Sequence, residues 1–263
     1  MFKVMSIILF ILMGNLIVAP IDSSKTSGFR KIDHNAFKVG ERLTFNLNYG
    51  FITAGIAEFH IPKIKRISGR DAYHVTFKVN SVASFDVLYK VRDTYETYID
   101  VEGIFPWRFE QHIREGGYTR DFSAFFDQRK MKAKTSEGEY EIPQYVNDIV
   151  SAFYYARTLD FSHLKVNDKI NLQNFYKDKV YDLDVVYLGK ETVEVEAGKF
   201  ECIKVEPLVQ EGGLFKHEGD IVIWLTNDEL KVPVKVRTKI IIGYIDAELT
   251  KYENLSGELT SKR

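Results

Sequence analysis

Three residues of the chain could recognise a ligand: Tyr154, Arg157 and Trp224. A guanidinium donates hydrogen bonds to carboxylates and phosphates, and tyrosine and tryptophan combine an apolar body with one polar atom. Groups of this kind hold a ligand without reacting with it, so we predict ligand binding by these residues and no catalytic residue. Arg157 has two further interpretations. It could close the C-terminus of a helix, where a cation is favoured, or anchor that helix to a carboxylate on a strand.

The common catalytic motifs are absent from the sequence. It contains no G-x-x-x-x-G-K-[ST], no H-E-x-x-H and no G-x-S-x-G. One S-x-x-K pattern joins Ser162 to Lys165. That chemistry needs both residues on one helical face, whereas these two are predicted to lie in a loop after a helix. The pattern is therefore attributed to chance, and we predict that the protein is not an enzyme.

The histidines and the cysteine do not have the spacing of metal ligands. The six histidines are scattered, and no two lie two or four residues apart. Cys202 is the only cysteine, which excludes an intramolecular disulfide and a site built from several cysteines. Its neighbours Phe200 and Ile203 predict a thiol buried in an apolar strand. We predict no metal and no cofactor.

The composition excludes two classes of protein. Of the 263 residues, 45% are hydrophobic, and 36 Lys and Arg oppose 37 Asp and Glu for a net charge of −1. So high an apolar content with so little net charge is not typical of a disordered chain. The charge balance also argues against nucleic acid as a partner, because nucleic-acid-binding domains usually carry a basic excess.

The first nineteen residues have the pattern of a secretory signal peptide. Lys3 precedes an apolar run over 7–19, which is shorter than a bilayer-spanning helix requires. Pro20 follows the small residue Ala19 and would hinder cleavage there, so the cleavage site is placed only within 19–24. An uncleaved membrane anchor at residues 1–19 remains an alternative, and it would be the only predicted membrane contact. We predict an exported protein of the periplasm or cell envelope.

Alternating apolar and polar residues predict strands through most of the remaining chain. The alternation is clear over 43–49, 73–79 and 107–113, and Gly116-Gly117 has the composition of a hairpin turn. The segment 147–160 differs, because its apolar residues recur with a helical period. A shorter helical turn is expected within 84–90.

These elements predict a mainly β fold: one large, curled antiparallel sheet, half-barrel or barrel-like, with one main helix near 147–160. Short connections favour antiparallel pairing, and a sheet of ten to twelve strands usually curls, closes or splits. The predicted boundaries are a signal peptide at 1–19, a linker at 20–36, a single β-rich domain at 37–255 and a polar tail at 256–263. The tail is expected to fray.

The chain resembles the bacterial family called domain of unknown function 3108 (DUF3108). Five stretches carry this resemblance, in order: GERLTFNLNYGFITAGIA at 40–57, YKVRDTYETYID at 89–100, DIVSAFYYAR at 148–157, AGKFECIKVEP at 197–207 and GDIVIWLTNDELKVPV at 219–234. The resemblance implies an exported, β-rich envelope protein, and it implies no catalytic residues.

Two functions are compatible with these features. The first is non-enzymatic binding of a lipid or other amphiphile against an apolar, concave face of the sheet, since aromatic residues recur on one face of the predicted strands. The alternative is a structural or interaction module that contacts an envelope protein or cell-wall glycan, with the aromatic residues filling the core.

Overall fold

The computed structural model describes residues 28–176, 178–209, 221–240 and 242–263. The predicted signal peptide or anchor at 1–19 and its cleavage region at 19–24 lie outside these residues. Within the described ranges, no helix combines the length and the apolar character needed to cross a bilayer. The described residues form fourteen strands and two helices: β1 Arg42–Tyr49, β2 Ile52–Ile67, β3 Arg70–Ser81, α1 Ala83–Asp86, β4 Arg92–Asp100, β5 Pro106–Glu115, β6 Tyr118–Asp127, β7 Lys132–Thr135, β8 Glu139–Glu141, α2 Ile149–Arg157, β9 Lys169–Tyr176, β10 Lys179–Val195, β11 Gly198–Val209, β12 Ile221–Thr226, β13 Pro233–Lys239 and β14 Tyr244–Glu253.

All fourteen strands belong to one antiparallel sheet, which confirms the predicted fold class. Its order is β8-β7-β6-β5-β4-β3-β2-β1-β14-β13-β12-β11-β10-β9. Strands that follow one another in the sequence are therefore neighbours in the sheet, except for β8 and β9, which α2 separates. In addition, the first strand, β1, pairs with the last, β14. Tight turns make this possible. Ser68 and Gly69, for example, both have positive φ between β2 and β3, and positive φ is typical of two-residue hairpin turns.

The sheet curls until its two edge strands approach each other without pairing. The ring of Phe175 in β9 lies 5.8 Å from Phe126 in β6 and 5.7 Å from Tyr140 in β8. Asn147 fills the gap, because its backbone N–H donates to Gln173 and its carbonyl accepts from Phe175. Register shifts in six strand pairs of the described sheet, including β1–β2 and β2–β3, add local twist that favours the curl.

Helix α2 packs against the concave face of the sheet, close to the predicted position. Asp148 caps its N-terminus by accepting hydrogen bonds from the backbone N–H groups of Val150 and Ser151. On the face towards the sheet, the ring of Phe153 stacks on Phe59 with centroids 5.0 Å apart and an interplanar angle of 9°. The predicted helical turn at 84–90 is present as α1.

The segment before the sheet is not a loose linker where the structure describes it. Phe29 packs against Phe105 and Trp107, with ring centroids at 5.1 and 5.4 Å. The Arg30 guanidinium donates to the carbonyls of Gly103 and Ile104. The predicted boundary at residue 37 is thus too late, because isolated aromatic and basic residues in a polar segment gave no periodic signal.

The polar tail also packs on the sheet, so the expectation that it frays is wrong. Phe200 and Lys262 form an antiparallel bridge. Ser261 is buried, and its hydroxyl donates to Asp228 at 2.7 Å. Backbone pairing and one buried hydroxyl hold this segment in place despite its polar composition.

Strand connections define two ends of the sheet. The β1–β2, β5–β6 and β13–β14 turns and the α1 loop lie at one end, which we call the hairpin-tip end. The C-terminus of α2 lies at the opposite end, near the start of β1.

Candidate functional site

A cavity lies between α2 and the concave face of the sheet. Twenty-two apolar residues and one polar residue, Asn174, line it. The centres of water-sized groups fit within about 170 Å³ of it, and it is partly open to solvent. Its walls include side chains from both halves of the sheet and from the helix, among them Phe45, Phe59, Phe77, Phe153, Leu183 and Ile223.

The alternation in the sequence accounts for this lining. Phe45 and Leu47 face the cavity, while the alternate residues Thr44 and Asn46 are absent from its walls. In a strand, every second side chain points to the same face, so one apolar face follows directly from the sequence pattern. Across strands, Phe59 stacks on Phe77 at 4.1 Å and on Phe153 of the helix, which makes a continuous aromatic wall.

A buried ion pair joins the C-terminus of α2 to β1. Arg157 binds Glu41 through two hydrogen bonds of 2.6 and 2.9 Å, and both side chains are almost fully buried. The same guanidinium donates to the backbone carbonyls of Ala36 and Leu230 at 2.7 and 3.2 Å. Arg157 therefore has the anchoring role that the sequence left open. The charge of Arg157 is paired with that of Glu41. The side chain thus attaches the helix to the end of the sheet opposite the hairpin tips.

The other end of α2 is held by a second buried carboxyl group. Asp148 accepts a hydrogen bond of 2.6 Å from the Thr97 hydroxyl in β4, in addition to its capping bonds. Burial raises its pKa to about 6, against the opposing effect of these hydrogen bonds. The group is tied into helix capping, and it does not line the cavity.

Asn174 is an exception in the apolar lining. It is fully buried in β9, and neither its amide nitrogen nor its amide oxygen has a hydrogen-bond partner among the described residues. A buried amide without partners loses its hydration with no compensating bond, which destabilises the folded state. No pattern in the sequence marked this residue, since an asparagine on a strand is ordinarily a surface residue.

Replacing Asn174 by leucine is expected to raise the free energy of unfolding by about 1–2 kcal/mol, since leucine has a similar shape and needs no partner. Urea denaturation measures the change. Asn171→Leu on the same strand is the control. Its amide donates to Asp184 at 3.1 Å and the residue is exposed, so that variant should be neutral or slightly destabilised. A destabilised Asn174→Leu protein would contradict the expectation.

The remaining two predicted binding residues do not line the cavity. Tyr154 is fully buried against Phe37, whose ring it meets edge-on at 4.8 Å, and burial raises its pKa. Trp224 points to the opposite face of β12 from Ile223 and Leu225, which do line the cavity. Its indole N–H donates to Glu191 at 3.1 Å. Ligand binding by Tyr154, Arg157 and Trp224 stays a prediction, and the structure brings different residues together at the cavity.

Cys202 lies in the cluster that contains Trp224, which confirms the predicted buried thiol. Burial raises its pKa to about 12, with smaller contributions from Asp228 and Glu191, so the thiol stays protonated at neutral pH. Ser162 and Lys165 lie in the loop after α2, as expected. In the described part of the chain, no group of three or more His, Cys, Asp or Glu side chains could hold a metal ion.

The solved structures that match this chain are distant from it in sequence. A beta-barrel-like protein of domain of unknown function DUF1849 from Brucella abortus has a TM-score of 0.53 at 9% identity, covering 86% of this chain and 99% of its own. A candidate lipoprotein from Parabacteroides distasonis (TM-score 0.38, 9% identity, 86% and 100% covered) and a candidate exported protein with a YmcC-like fold from Bacteroides fragilis (0.31, 12%, 86% and 100%) are less similar. At such identities, the first match supports the fold alone.

The sequence itself shows the family. No curated protein matches the chain significantly. The family profile described as "Protein of unknown function (DUF3108)" matches residues 44–250, which run from β1 into β14. This range contains nearly all of the sheet, α2 and the lining of the cavity. The chain therefore belongs to the DUF3108 family.

Proposed function

We propose that this protein is an exported, non-enzymatic carrier or binding protein that holds the apolar part of an amphiphile between α2 and the concave face of the sheet. The observation that supports it is the lining of the cavity, in which twenty-two of the twenty-three residues are apolar. Lining of this kind, with very few polar groups, is typical of sites for apolar ligands.

The size and charge of the cavity define the class of ligand. A space of about 170 Å³ for group centres has room for on the order of ten methylene groups. Each buried methylene contributes about 0.8 kcal/mol, which is sufficient for binding after the cost of association. Among the described lining residues none is charged, so a charged headgroup would have to remain outside. An acyl chain attached to a polar head meets both conditions.

Export rests on the sequence at the N-terminus. One cation followed by a short apolar run is the pattern of a secretory signal peptide. An exported amphiphile-binding protein would act in the periplasm or at the envelope, where hydrophobic molecules need shielding from water between membranes.

Native mass spectrometry of protein extracted gently from cells tests the proposal. We expect a mass increase that disappears after mild organic extraction and returns when a long-chain amphiphile is added back. Protein that is purified empty and binds no member of a series of fatty acids, fatty alcohols and monoacylglycerols would refute it.

Ala156→Phe is expected to weaken binding of such an amphiphile about thirtyfold. The larger side chain would occupy room for about three methylene groups, worth roughly 2 kcal/mol. Titration with a fluorescent fatty-acid analogue measures the affinity. Ala83→Phe introduces the same side chain at an exposed position of α1, outside the cavity, and should bind as the wild type does. Equal loss in both variants would mean that the ligand binds elsewhere.

A further inference from the structure

Asn174, the one polar residue in the described lining, directs its amide into the cavity. Leu172 and Asn174 both line the cavity, and residues two apart on a strand share one face. The side chain is fully buried, and neither amide atom has a hydrogen-bond partner among the described residues. Buried polar groups are nearly always paired, and exceptions concentrate at functional sites. The amide is therefore available to a ligand in the cavity.

The backbone around Asn174 holds this amide in a fixed position. The residue lies opposite Tyr181 of β10, and on its other side it forms a parallel bridge with Asn147. The backbone N–H of Asn147 donates to the carbonyl of Gln173, and its carbonyl accepts from the N–H of Phe175. A binding group on a strand that is paired on both sides needs little ordering when a ligand arrives.

Two neighbours of Asn174 add buried polar atoms. The Asn147 side chain is buried, and its Oδ1 accepts no hydrogen bond from the described residues. The Tyr181 hydroxyl has no hydrogen-bond partner there either, and cross-strand pairing places the Tyr181 side chain on the same face as that of Asn174. We call these three residues the polar corner. It lies beside the N-terminus of α2, because Asn147 directly precedes the capping residue Asp148.

The amide of Asn174 defines the chemical group that would pair with it. An asparagine side chain presents an N–H donor beside a carbonyl acceptor, so a group that offers an acceptor beside a donor satisfies both atoms together. A carboxylate or an ester offers acceptors alone, and an ammonium group offers donors alone. A charged group would also be buried without a counter-ion, since no described lining residue is charged. A primary carboxamide and a protonated carboxyl group are uncharged and meet the requirement.

The apolar part of the cavity extends from the polar corner along α2. Ile149 and Ala156 both line it, and their positions in the helix are about 10 Å apart along its axis. Ile149 lies at the N-terminal end of α2, close to Asn147, and Ala156 lies near the C-terminal end. A ligand whose polar group is held at the polar corner can therefore lay its apolar chain along the helix.

We propose that Asn174 binds the carboxamide or protonated carboxyl group of an amphiphile through two hydrogen bonds, while the apolar chain lies along α2 towards Ala156. This assignment rests on the proposed function, because it requires a ligand in the cavity, and it adds the ligand's polar group and orientation. It also explains why the chain keeps an amide that lowers its stability. Leucine at this position stabilises the free protein but removes the recognition of the polar group.

Decanamide and N,N-dimethyldecanamide test these hydrogen bonds, because they share the chain and the carbonyl but only decanamide has N–H donors. Competition with a fluorescent fatty-acid analogue measures both affinities on the full chain. The ratio of the decanamide affinity to the dimethyl compound's affinity should fall about tenfold in Asn174→Leu, with binding of the dimethyl compound retained. Asn171→Leu, at an exposed position of the same strand, should keep the wild-type ratio.

Nuclear magnetic resonance of isotope-labelled protein gives a direct readout of the amide. The side-chain signals of Asn174 are identified by their absence from the spectrum of Asn174→Leu. They should shift strongly with decanamide and much less with N,N-dimethyldecanamide, whereas the Asn171 side-chain signals should shift with neither.

Decanoic acid tests the requirement for an uncharged group. Near neutral pH it is a carboxylate, and the wild type should bind it about tenfold more weakly than decanamide. A gap that narrows towards about pH 5 identifies the protonated carboxyl as a second group that fits the site, and a constant gap restricts the site to the carboxamide. Equal affinities near neutral pH would contradict the requirement.

Two results would overturn the assignment of Asn174. One is an unchanged affinity ratio in Asn174→Leu, which would mean that solvent satisfies the amide. The other is an equal fall in Asn171→Leu, which would place the discrimination outside the cavity. The proposed function would stand in the first case, since the apolar chain still binds. Wild-type protein that binds neither compound and no other amphiphile would refute the proposed function and this assignment with it.

Discussion

Replacing Arg157 by methionine is expected to lower the free energy of unfolding by about 3–5 kcal/mol, the largest effect of any single substitution considered for this protein. Methionine preserves much of the volume but removes the charge, which leaves the Glu41 carboxylate buried with no cation beside it. The carbonyls of Ala36 and Leu230 lose their donor in the same step. The helix would then lose its attachment to the end of the sheet.

The double variant Glu41→Gln/Arg157→Met separates the cost of an unpaired charge from the value of the pair. Because no buried charge remains, it should be more stable than Arg157→Met alone, and Glu41→Gln alone should also be destabilised. Urea denaturation of the four proteins measures the coupling. Independent, additive effects of the two substitutions would show that the ion pair does not determine the stability of this end.

Asp100→Asn is expected to cost about 3 kcal/mol of stability. The carboxylate is fully buried at the end of β4 and accepts two hydrogen bonds from Arg70, at 2.5 and 2.8 Å. It also accepts from the Trp107 indole at 3.0 Å and from the backbone N–H of Gly103 at 2.8 Å. An asparagine offers one acceptor oxygen and turns an N–H group towards these donors, so several of them lose their partner.

Asp71→Asn provides the matched control, because Asp71 forms a single, exposed ion pair with Arg66 at 3.5 Å. Exposed pairs of this kind contribute little, and the change should stay within about 0.5 kcal/mol. Thermal and urea denaturation at neutral pH compare the two variants. Similar losses of stability at both positions would show that the hydrogen bonds of Asp100 contribute no more to stability than the exposed ion pair of Asp71.

The pH dependence of the Asp100 contribution follows from the direction of its pKa shift. Burial by itself raises the pKa of the carboxyl, but the bonds from Arg70, Gly103 and Trp107 outweigh it and hold the pKa below its usual 3.8. The stabilisation is therefore complete above the unfolded pKa of about 3.8 and is lost as pH falls through the folded one. The stability difference between wild type and Asp100→Asn should shrink below about pH 4.

Local rules explain why so much of the fold could be predicted. Residues 43–49 and 73–79 alternate because every second side chain of a strand faces the core, and both segments lie in the sheet as strands β1 and β3. The turn at Gly116-Gly117 and the helical period over 147–160 are equally local patterns. The predicted linker and tail differ from the structure because single side chains attach these segments to the sheet. Phe29 does so before the sheet, and Ser261 does so near the C-terminus.

The candidate site was predicted less well, because the spacing of residues in the sequence does not show which side chains lie close together across the sheet. Arg157 and Glu41 are 116 residues apart, and only the curl of the sheet brings them together. The face to which Trp224 points depends on strand register, since a shift of one residue exchanges the two faces. Asn174 carried no sequence signal, because its lack of partners results from its tertiary surroundings.

The sequence alone thus determined the family resemblance, the strands with their apolar faces and the main helix, since each depends on residues close together in the chain. The tertiary structure decided which residues those apolar faces enclose. The cavity combines side chains from both halves of a fourteen-stranded sheet with α2. The hairpin-tip end joins turns that are far apart in the chain. Both follow from the twist and curl of the whole sheet, to which every strand contributes and which no short segment encodes.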